Sequence, residues 1–319
     1  MKRVEDFNEF LADYVNINQD RLDKLNDHVA AVTTHLSRHL ESFEKVERQG
    51  SYALRTITKP KENKEYDADV LLFMKYQQGK KPAEYINDAY NCLRQHGTYK
   101  DMVHRRTRCV MVDYAGDFHL DIVPCVEVSG QRYICNNKTD EFEITDGTGY
   151  RDWFNDKTRI TNGNLKRVTR LLKYMRDHKG NFTAPSILLT TLIGMSVQDN
   201  EGDAKFKTVP DTMKAVCNRI NAFLQANPNQ PEIRNPVLPQ ETFTRHWDQN
   251  KYWNFRDKFK IYNDQVNDAF EETDPQKSVQ KWQKLFGEDF GKAKSKYNGA
   301  SGTAAMTAAT VTPRKPYAR

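Results

Sequence analysis

The 319-residue chain has no long hydrophobic run, and its first residues lack the apolar core of a secretion signal. Its longest apolar runs, such as residues 70–74 and 187–189, are far shorter than the roughly 20 residues that a membrane-spanning helix needs. The opening segment, MKRVEDFNEF, is too polar to direct secretion. We therefore expect a cytoplasmic protein that does not associate with membranes.

Cysteine is also sparse and unpaired in sequence. The count is five, none of the five belongs to a CxxC pair, and neither a zinc ribbon nor a disulfide framework fits their spacing. Reduced thiols are the expectation. The formal net charge of +6 is mildly basic, which suits a polyanionic ligand such as a nucleotide or a nucleic acid.

Hydrophobic periodicity divides the chain into two halves of different character. Helical spacing covers the first forty residues, and period-two alternation then predicts strands at residues 46–54, 67–76, 108–114, 118–128 and 132–136. The last two long strands flank Ala115-Gly116-Asp117, a hairpin turn whose neighbours Asp113 and Asp117 are interpreted as ordinary turn residues. A helix is predicted at 82–96, and helices dominate after residue 160, at 187–195, 213–224, 252–270 and 279–286. This pattern indicates an α/β (α+β) fold with a mixed sheet followed by a helical region.

Three aspartates carry the most informative chemistry. Asp67 and Asp69 are two residues apart on a predicted strand, so their side chains share one face. Asp121 lies on a later strand that can bring it to the same place. Clustered carboxylates repel one another, and Mg²⁺ relieves this repulsion because it prefers hard oxygen ligands. Two such ions roughly 4 Å apart activate an attacking hydroxyl and stabilise a leaving pyrophosphate.

The pair Gly50-Ser51 adds a phosphate-binding feature. Its glycine lets the backbone approach a triphosphate closely, and its serine supplies a hydroxyl donor. Taken alone, an Asp-x-Asp pair is most often solvated and a Gly-Ser pair is most often a turn. The combination of Gly-Ser, Asp-x-Asp on an apolar strand and a third aspartate on another apolar strand is more specific.

The segments QGSY at 49–52, YDADV at 66–70 and LDIVP at 120–124 resemble the signature of the polymerase-β-like nucleotidyltransferases. Within that superfamily the chain is similar to the bacterial cGAS/DncV-like nucleotidyltransferases (CD-NTases of the SMODS type). Residues 153–177 resemble the long helix of that family, and WQKLFGEDF at 282–290 resembles its closing helix and Phe-Gly turn. The resemblance covers about residues 5–291.

The resemblance implies a polymerase-β-like catalytic lobe at residues 1–160, a helical lobe at 161–290 that closes a nucleotide cleft, and a disordered tail at 291–319. It also implies synthesis of a cyclic di- or trinucleotide second messenger from nucleoside triphosphates, with ATP among them, in anti-phage (CBASS) signalling. A regulatory protein partner and an effector that responds to the product are expected. Nucleic acid is not an obligatory partner.

Roles follow for seven residues of this chain. The resemblance implies that Asp67, Asp69 and Asp121 are catalytic and hold two Mg²⁺ ions, for which Mn²⁺ can substitute. The nucleotide-binding residues that it implies are Gln49, Gly50, Ser51 and Lys173. His119 has the strand parity of Asp121 and is interpreted as lining the edge of the cleft.

Two other functions stay open from the sequence. The first is a linear RNA or tRNA nucleotidyltransferase, against which the modest charge and the lack of an extra basic region argue. The second is a non-catalytic nucleotide-binding module on the same fold. The complete set of carboxylates counts against that alternative, since a pure binder gains nothing from so costly a cluster.

Overall fold

The structure is a computed structural model that describes residues 1–60, 65–244 and 247–292. The disordered tail predicted at 291–319 lies, beyond Lys292, outside the described residues. No helix in the part that is described is long and apolar enough to cross a membrane.

The first half alternates helices with strands of one sheet. The chain begins with α1 (Val4–Phe10), a π-helical turn (Leu11–Val15) and α2 (Gln19–His39). The elements that follow are β1 (Phe43–Gln49), α3 (Gly50–Leu54), β2 (Tyr66–Met74), α4 (Pro82–Arg94), β3 (Val103–Arg105), β4 (Val110–Tyr114), β5 (Phe118–Val128), β6 (Gln131–Asn136) and β7 (Glu141–Ile144). Pro82 occupies the first turn of α4, where its missing N–H leaves no helical hydrogen bond unmade.

The second half is mainly helical. It contains α5 (Gly147–Ile160), α6 (Asn164–Lys179), α7 (Ser186–Met195), α8 (Val209–Ala226), the short hairpin β8 (Arg234–Asn235) and β9 (Leu238–Thr242), α9 (Gln249–Glu271) and α10 (Pro275–Phe286). The predicted α/β class, with a mixed sheet and a helical C-terminal region, is confirmed.

The sheet has the strand order β1-β2-β5-β4-β3, and β6 and β7 extend it from the far end of β5. β2 and β5 are parallel, whereas the other strand pairs are antiparallel. The predicted turn at 115–117 connects β4 and β5 as a hairpin. The parallel pair β2–β5 lies in the middle of the sheet and carries the three aspartates.

Side chains of strand β2 alternate between the hydrophobic core and the opposite face of the sheet. Its even-numbered residues, from Tyr66 to Met74, are buried in a core that α2 and α4 cover. Its odd-numbered residues begin with Asp67 and Asp69 on the opposite face and continue with Leu71 and Phe73, which pack in a small second cluster. One strand therefore anchors the sheet and presents carboxylates at its N-terminal end.

The helical half has its own hydrophobic core, to which α1 also contributes. The ring of Phe7 packs edge-to-face on Trp282 with centroids 4.8 Å apart, and on Phe290 at 4.9 Å. All three side chains are fully buried. The N-terminal helix is thus joined by aromatic packing to α10 and to the turn that follows it.

Three predicted elements differ from the structure. The strand expected at 46–54 ends at Gln49, because Gly50 has φ +56° and turns the chain into α3. The single helix expected at 153–177 is two helices, α5 and α6, separated by Asn162 and Gly163 with positive φ angles. The proline-rich stretch 228–239, whose prolines predict a break between the helices expected at 213–224 and 252–270, contains most of the β8–β9 hairpin.

Candidate active site

Strand register places Gln49, Asp69 and Asp121 in one row across three strands. Gln49, the last residue of β1, pairs with Asp69 on β2, and Asp69 pairs with Asp121 on β5. Asp67 precedes Asp69 by two residues, so it lies on the same face, beside His119 of β5. The structure therefore brings the three predicted carboxylates to one face of the sheet.

The carboxylates raise one another's proton affinity. Burial raises the pKa of Asp69 to about 7, and the nearby charges of Asp121 and Asp67 add to the shift. Burial, with Asp67, also raises the pKa of Asp121, against which a hydrogen bond from the Cys109 thiol acts. A carboxylate that is buried beside other carboxylates resists ionisation, because it loses hydration and is repelled by their charges. A nearby cation removes this resistance.

The aspartates fit a hard divalent cation. The Oδ1 atom of Asp121 is buried and has no hydrogen-bond partner among the described residues. It is an acceptor that a cation or a ligand donor would satisfy. Asp67 is exposed, and Asp69 and Asp121 are half-buried, so the group is open on one side. Oxygen-only donors with an open side are typical of a magnesium site that also takes phosphate oxygens.

The turn after β1 brings backbone directly against Asp69. A Cβ atom built on Gly50 would lie 2.5 Å from Asp69 Oδ2, closer than real Cβ contacts. With its φ of +56°, Gly50 is a position where only glycine fits without strain. Ser51 follows at the start of α3 and is half-exposed. The predicted Gly-Ser pair thus lies directly beside the carboxylates, and this contact is possible only because Gly50 has no side chain.

A cavity of about 930 Å³ lies between the sheet and the helical half. Gln49, Gly50, Ser51, Asp67, Asp69 and Lys173 are among the residues that line it. Asp121 does not line the cavity; it lies beside Asp69, on the next strand. The volume is in the range of small-molecule binding sites.

Lys173 on α6 lines the cavity from the helical half. Its side chain is 6% exposed, and its Nζ donates to the carbonyl oxygen of Thr56 at 3.0 Å. Burial lowers the pKa of Lys173 to about 8, with the charge of Arg176 acting in the same direction, while Asp177, Asp69 and Asp67 oppose the shift. A buried ammonium held by one neutral carbonyl is poised to gain an anionic ligand.

Several residues that line the cavity were not singled out from the sequence. Their shared feature is that they come from distant segments, which only the folded chain assembles: Thr145, Gly147, Arg151, Thr190, Asn235, Glu241, Phe243 and Lys251. Gly147 has a visible packing role, because a Cβ there would lie 2.1 Å from Gln49 Nε2. Tyr150 donates to or accepts from Thr191 at 2.9 Å and is buried.

One further group of ligating side chains lies on the same sheet face. Within residues 1–60, 65–244 and 247–292, Glu65, Asp113 and His119 are the set of three whose ligand atoms all lie within 4.8 Å of one another. Asp113 is a strand residue of β4 and not the turn residue that the sequence suggested. Its register partner across β4 and β5 is His119. This pairing could have been predicted from the sequence, since the hairpin turn at 115–117 determines which residues of β4 and β5 face each other.

Comparisons with known proteins agree with this architecture. Residues 1–158 match the family described as the Second Messenger Oligonucleotide or Dinucleotide Synthetase domain. The c-di-GMP synthase of Roseivirga ehrenbergii is 27% identical over 281 residues, which cover 77% of this chain and 73% of that protein.

Solved structures share the fold over nearly the whole chain. CdnC of E. coli MS115-1, solved with ATP, aligns with a TM-score of 0.73 at 18% identity and covers 90% of this chain and 98% of its own. The same protein is also known in complex with HORMA-deltaN. Vibrio cholerae DncV, a cyclic AMP-GMP synthase described as a prokaryotic cGAS homologue, aligns with a TM-score of 0.69 at 13% identity and covers 91% of this chain and 97% of its own. Residues 1–158 thus carry the Second Messenger Oligonucleotide or Dinucleotide Synthetase domain, and the chain has the fold of the bacterial cGAS/DncV-like nucleotidyltransferases.

Proposed function

We propose that the protein links nucleoside triphosphates into a cyclic di- or trinucleotide second messenger. In each step a ribose hydroxyl attacks the α-phosphate of a triphosphate and pyrophosphate leaves, until the ring closes. The observation that carries this proposal is the alignment of Asp69 with Asp121 in one register row, with Asp67 on the same face and Gly50 against the Asp69 carboxylate.

Each residue of the site has a proposed task. Asp67, Asp69 and Asp121 would hold two Mg²⁺ ions, or Mn²⁺ in their place. When bound, such ions activate the attacking hydroxyl and stabilise the negative charge of the leaving pyrophosphate. Gly50 and Ser51 would bind donor phosphates, and Gln49 would border them at the end of β1. The residues of the chain add little covalent chemistry, so their contribution is orientation and electrostatic stabilisation.

Lys173 is proposed to bind the triphosphate from the helical side. Its buried ammonium lines the same cavity as Ser51, and it donates to Thr56, whose N–H donates to the Ser51 carbonyl oxygen at 2.9 Å. A triphosphate there would supply negative charge that the Thr56 carbonyl does not, and would restore the proton affinity that burial removes. Because α6 carries the lysine and the sheet carries the carboxylates, the substrate would contact both halves of the protein.

Partners are proposed from the relatives. The ATP bound to CdnC supports ATP as one substrate, and its HORMA complex supports a regulatory protein partner for this chain. The product would act on an effector in anti-phage signalling. Base choice and linkage would depend on cavity residues such as Asn235 and Glu241, which hydrogen-bond to each other at 2.7 Å.

The test is incubation with labelled nucleoside triphosphates and Mg²⁺, followed by phosphatase treatment and mass spectrometry. We expect a phosphatase-resistant cyclic product from the wild type and none from the double variant Asp67→Asn, Asp69→Asn. Asp101→Asn, an exposed aspartate in the turn before β3, is the matched control and should retain full activity. Full activity of the double variant, or no resistant product from wild type even with a HORMA-type activator, would defeat the proposal.

Two added samples separate the alternative functions. Extension of a supplied RNA primer would indicate a linear nucleotidyltransferase. Saturable binding of ATP without release of pyrophosphate would indicate a non-catalytic module.

A further inference from the structure

Glu65, Asp113 and His119 form a compact cluster beside the catalytic carboxylates. Glu65 directly precedes β2 with the same parity as Asp67, and Asp113 pairs with His119 across β4 and β5. His119 Nε2 contacts Glu65 Oε2, and His119 Nδ1 lies 3.6 Å from Asp113 Oδ1. Three segments of the sheet thus bring one imidazole and two carboxylates together, with a carboxylate beside each ring nitrogen and one ligand atom from each residue within 4.8 Å of the others.

The cluster contains two potential metal-ligand atoms that lack hydrogen-bond partners. His119 Nδ1 and Asp113 Oδ1 are both buried, and neither has a hydrogen-bond partner among the residues described. Their separation of 3.6 Å is too long for a hydrogen bond. Buried polar atoms without partners are rare in folded proteins, and a bound ion is one of the recognised ways in which they are satisfied. Glu65 is held in place, since its Oε1 accepts the Gly116 backbone N–H at 2.8 Å.

The charge balance of the sheet face also favours a cation. Glu65 and Asp113 bring two negative charges to one histidine, and Asp67 adds another from the neighbouring strand, where it pairs with His119. A neutral or a protonated imidazole leaves this group negative. The side chains of Glu65, Asp113 and His119 are 27–34% exposed, so an ion can reach them from solvent.

We propose that Glu65, Asp113 and His119 bind a divalent transition-metal ion, of which Zn²⁺ is the probe, at a site distinct from the magnesium site formed by the aspartates. The imidazole nitrogen makes the difference, because imidazole favours zinc-like ions whereas all-oxygen sites favour Mg²⁺. Ligand atoms around a tetrahedral zinc lie about 3.3 Å apart. Ligand atoms that lie up to 4.8 Å apart must therefore approach one another by as much as about 1.5 Å, and water completes the coordination.

This site does not depend on the proposed synthase activity, so it can be tested in a protein without that activity. The background is the full chain with Asp67→Asn, Asp69→Asn and Asp121→Asn, which removes the catalytic carboxylates. Zn²⁺ binding is measured by titration calorimetry in the presence of excess Mg²⁺, and bound zinc per chain is counted after dialysis. We expect His119→Gln to lower the count by one, with affinity at that site weakened at least about 100-fold.

His104→Gln on β3 is the matched control, because His104 is exposed and outside the cluster; it should leave the count unchanged. Glu65→Gln, which keeps the shape of the side chain, serves as a second variant in case His119→Gln unfolds, and thermal unfolding of each variant checks this. An equal zinc count in the background, His119→Gln and Glu65→Gln proteins would overturn the proposal. Displacement of the zinc by Mg²⁺ would overturn it as well.

Discussion

Replacing Gly50 with alanine tests whether the turn after β1 positions the Asp69 carboxylate. The new Cβ would lie 2.5 Å from Asp69 Oδ2, whereas ordinary contacts begin near 3.4 Å. The carboxylate must therefore withdraw by about 0.9 Å, since backbone on both sides is fixed by the β1–β2 ladder. A displacement of about 1 Å in a reacting group lowers turnover by about 100-fold.

The same substitution also strains the backbone, and this effect needs separation from the first. Alanine in the left-handed region costs roughly 1–2 kcal/mol. Gly130 in the β5–β6 turn supplies the matched control, because its φ of +78° is equally left-handed and a Cβ there meets nothing within 4 Å. Gly130→Ala should thus lose similar stability with no direct effect on the site.

The assay is pyrophosphate release at saturating nucleotide and Mg²⁺, alongside urea unfolding of both variants. We expect comparable free energies of unfolding, a loss of about 100-fold in turnover for Gly50→Ala, and turnover near wild type for Gly130→Ala. If Gly50→Ala is folded and turns over like Gly130→Ala, the contact between the turn and Asp69 has no catalytic role. The positioning argument would then be wrong.

Three more predictions concern charge and packing. Because the pKa of Asp69 is raised to about 7, the folded protein in EDTA keeps a proton that the unfolded chain has lost. The free energy of unfolding should therefore fall as pH rises from 5 to 7. Thermal unfolding should show a smaller fall for Asp69→Asn. Lys173→Met should lower kcat/KM for ATP by about 10- to 100-fold, because a charge-assisted hydrogen bond to phosphate is lost. Trp282→Ala should lower the free energy of unfolding, measured in urea, by about 3–5 kcal/mol, since a fully buried ring leaves a cavity.

Each of the three has a control within the chain. Added Mg²⁺ should reduce the difference in pH dependence between wild type and Asp69→Asn, and equal slopes in EDTA would contradict the raised pKa. Lys166→Met, on the same helix but outside the cavity lining, should leave kcat/KM unchanged. Trp253→Ala, at a 46% exposed tryptophan on α9, should cost less than about 1 kcal/mol, so equal losses at both tryptophans would refute the packing argument.

The sequence predicted well those features that depend on neighbours along the chain. Strand β5, the 115–117 hairpin and the start of α4 at Pro82 follow from alternation, turn residues and a proline at the first helical position. Strand β1 was extended too far, because Tyr52 and Leu54 continue its period-two pattern. The positive φ of Gly50, which local pattern does not reveal, ends the strand there.

Features that depend on distant contacts were harder to predict. The sequence suggested that Asp121 meets Asp69, but the register of a parallel pair is set by how the whole sheet packs, and only the structure specifies it. The cavity wall from α5 to α9 was largely missed because its residues come from separate segments with no shared motif. The pairing of Asp113 with His119, by contrast, was available from the hairpin and was overlooked.

The sheet face toward the cleft places stability and function in opposition. Alternation on β2 buries Tyr66, Ala68 and Val70 in the core, and the same alternation commits Asp67 and Asp69 to a crowded acidic face. Burial of the apolar face of β2 stabilises the strand and offsets the repulsion among the carboxylates on its other face. A strand with polar residues in place of Tyr66, Ala68 and Val70 would lack this stabilisation. Neutralising a carboxylate should therefore stabilise the metal-free protein while it removes activity. Thermal unfolding of Asp67→Asn in EDTA checks this, and a melting temperature below that of wild type would contradict it.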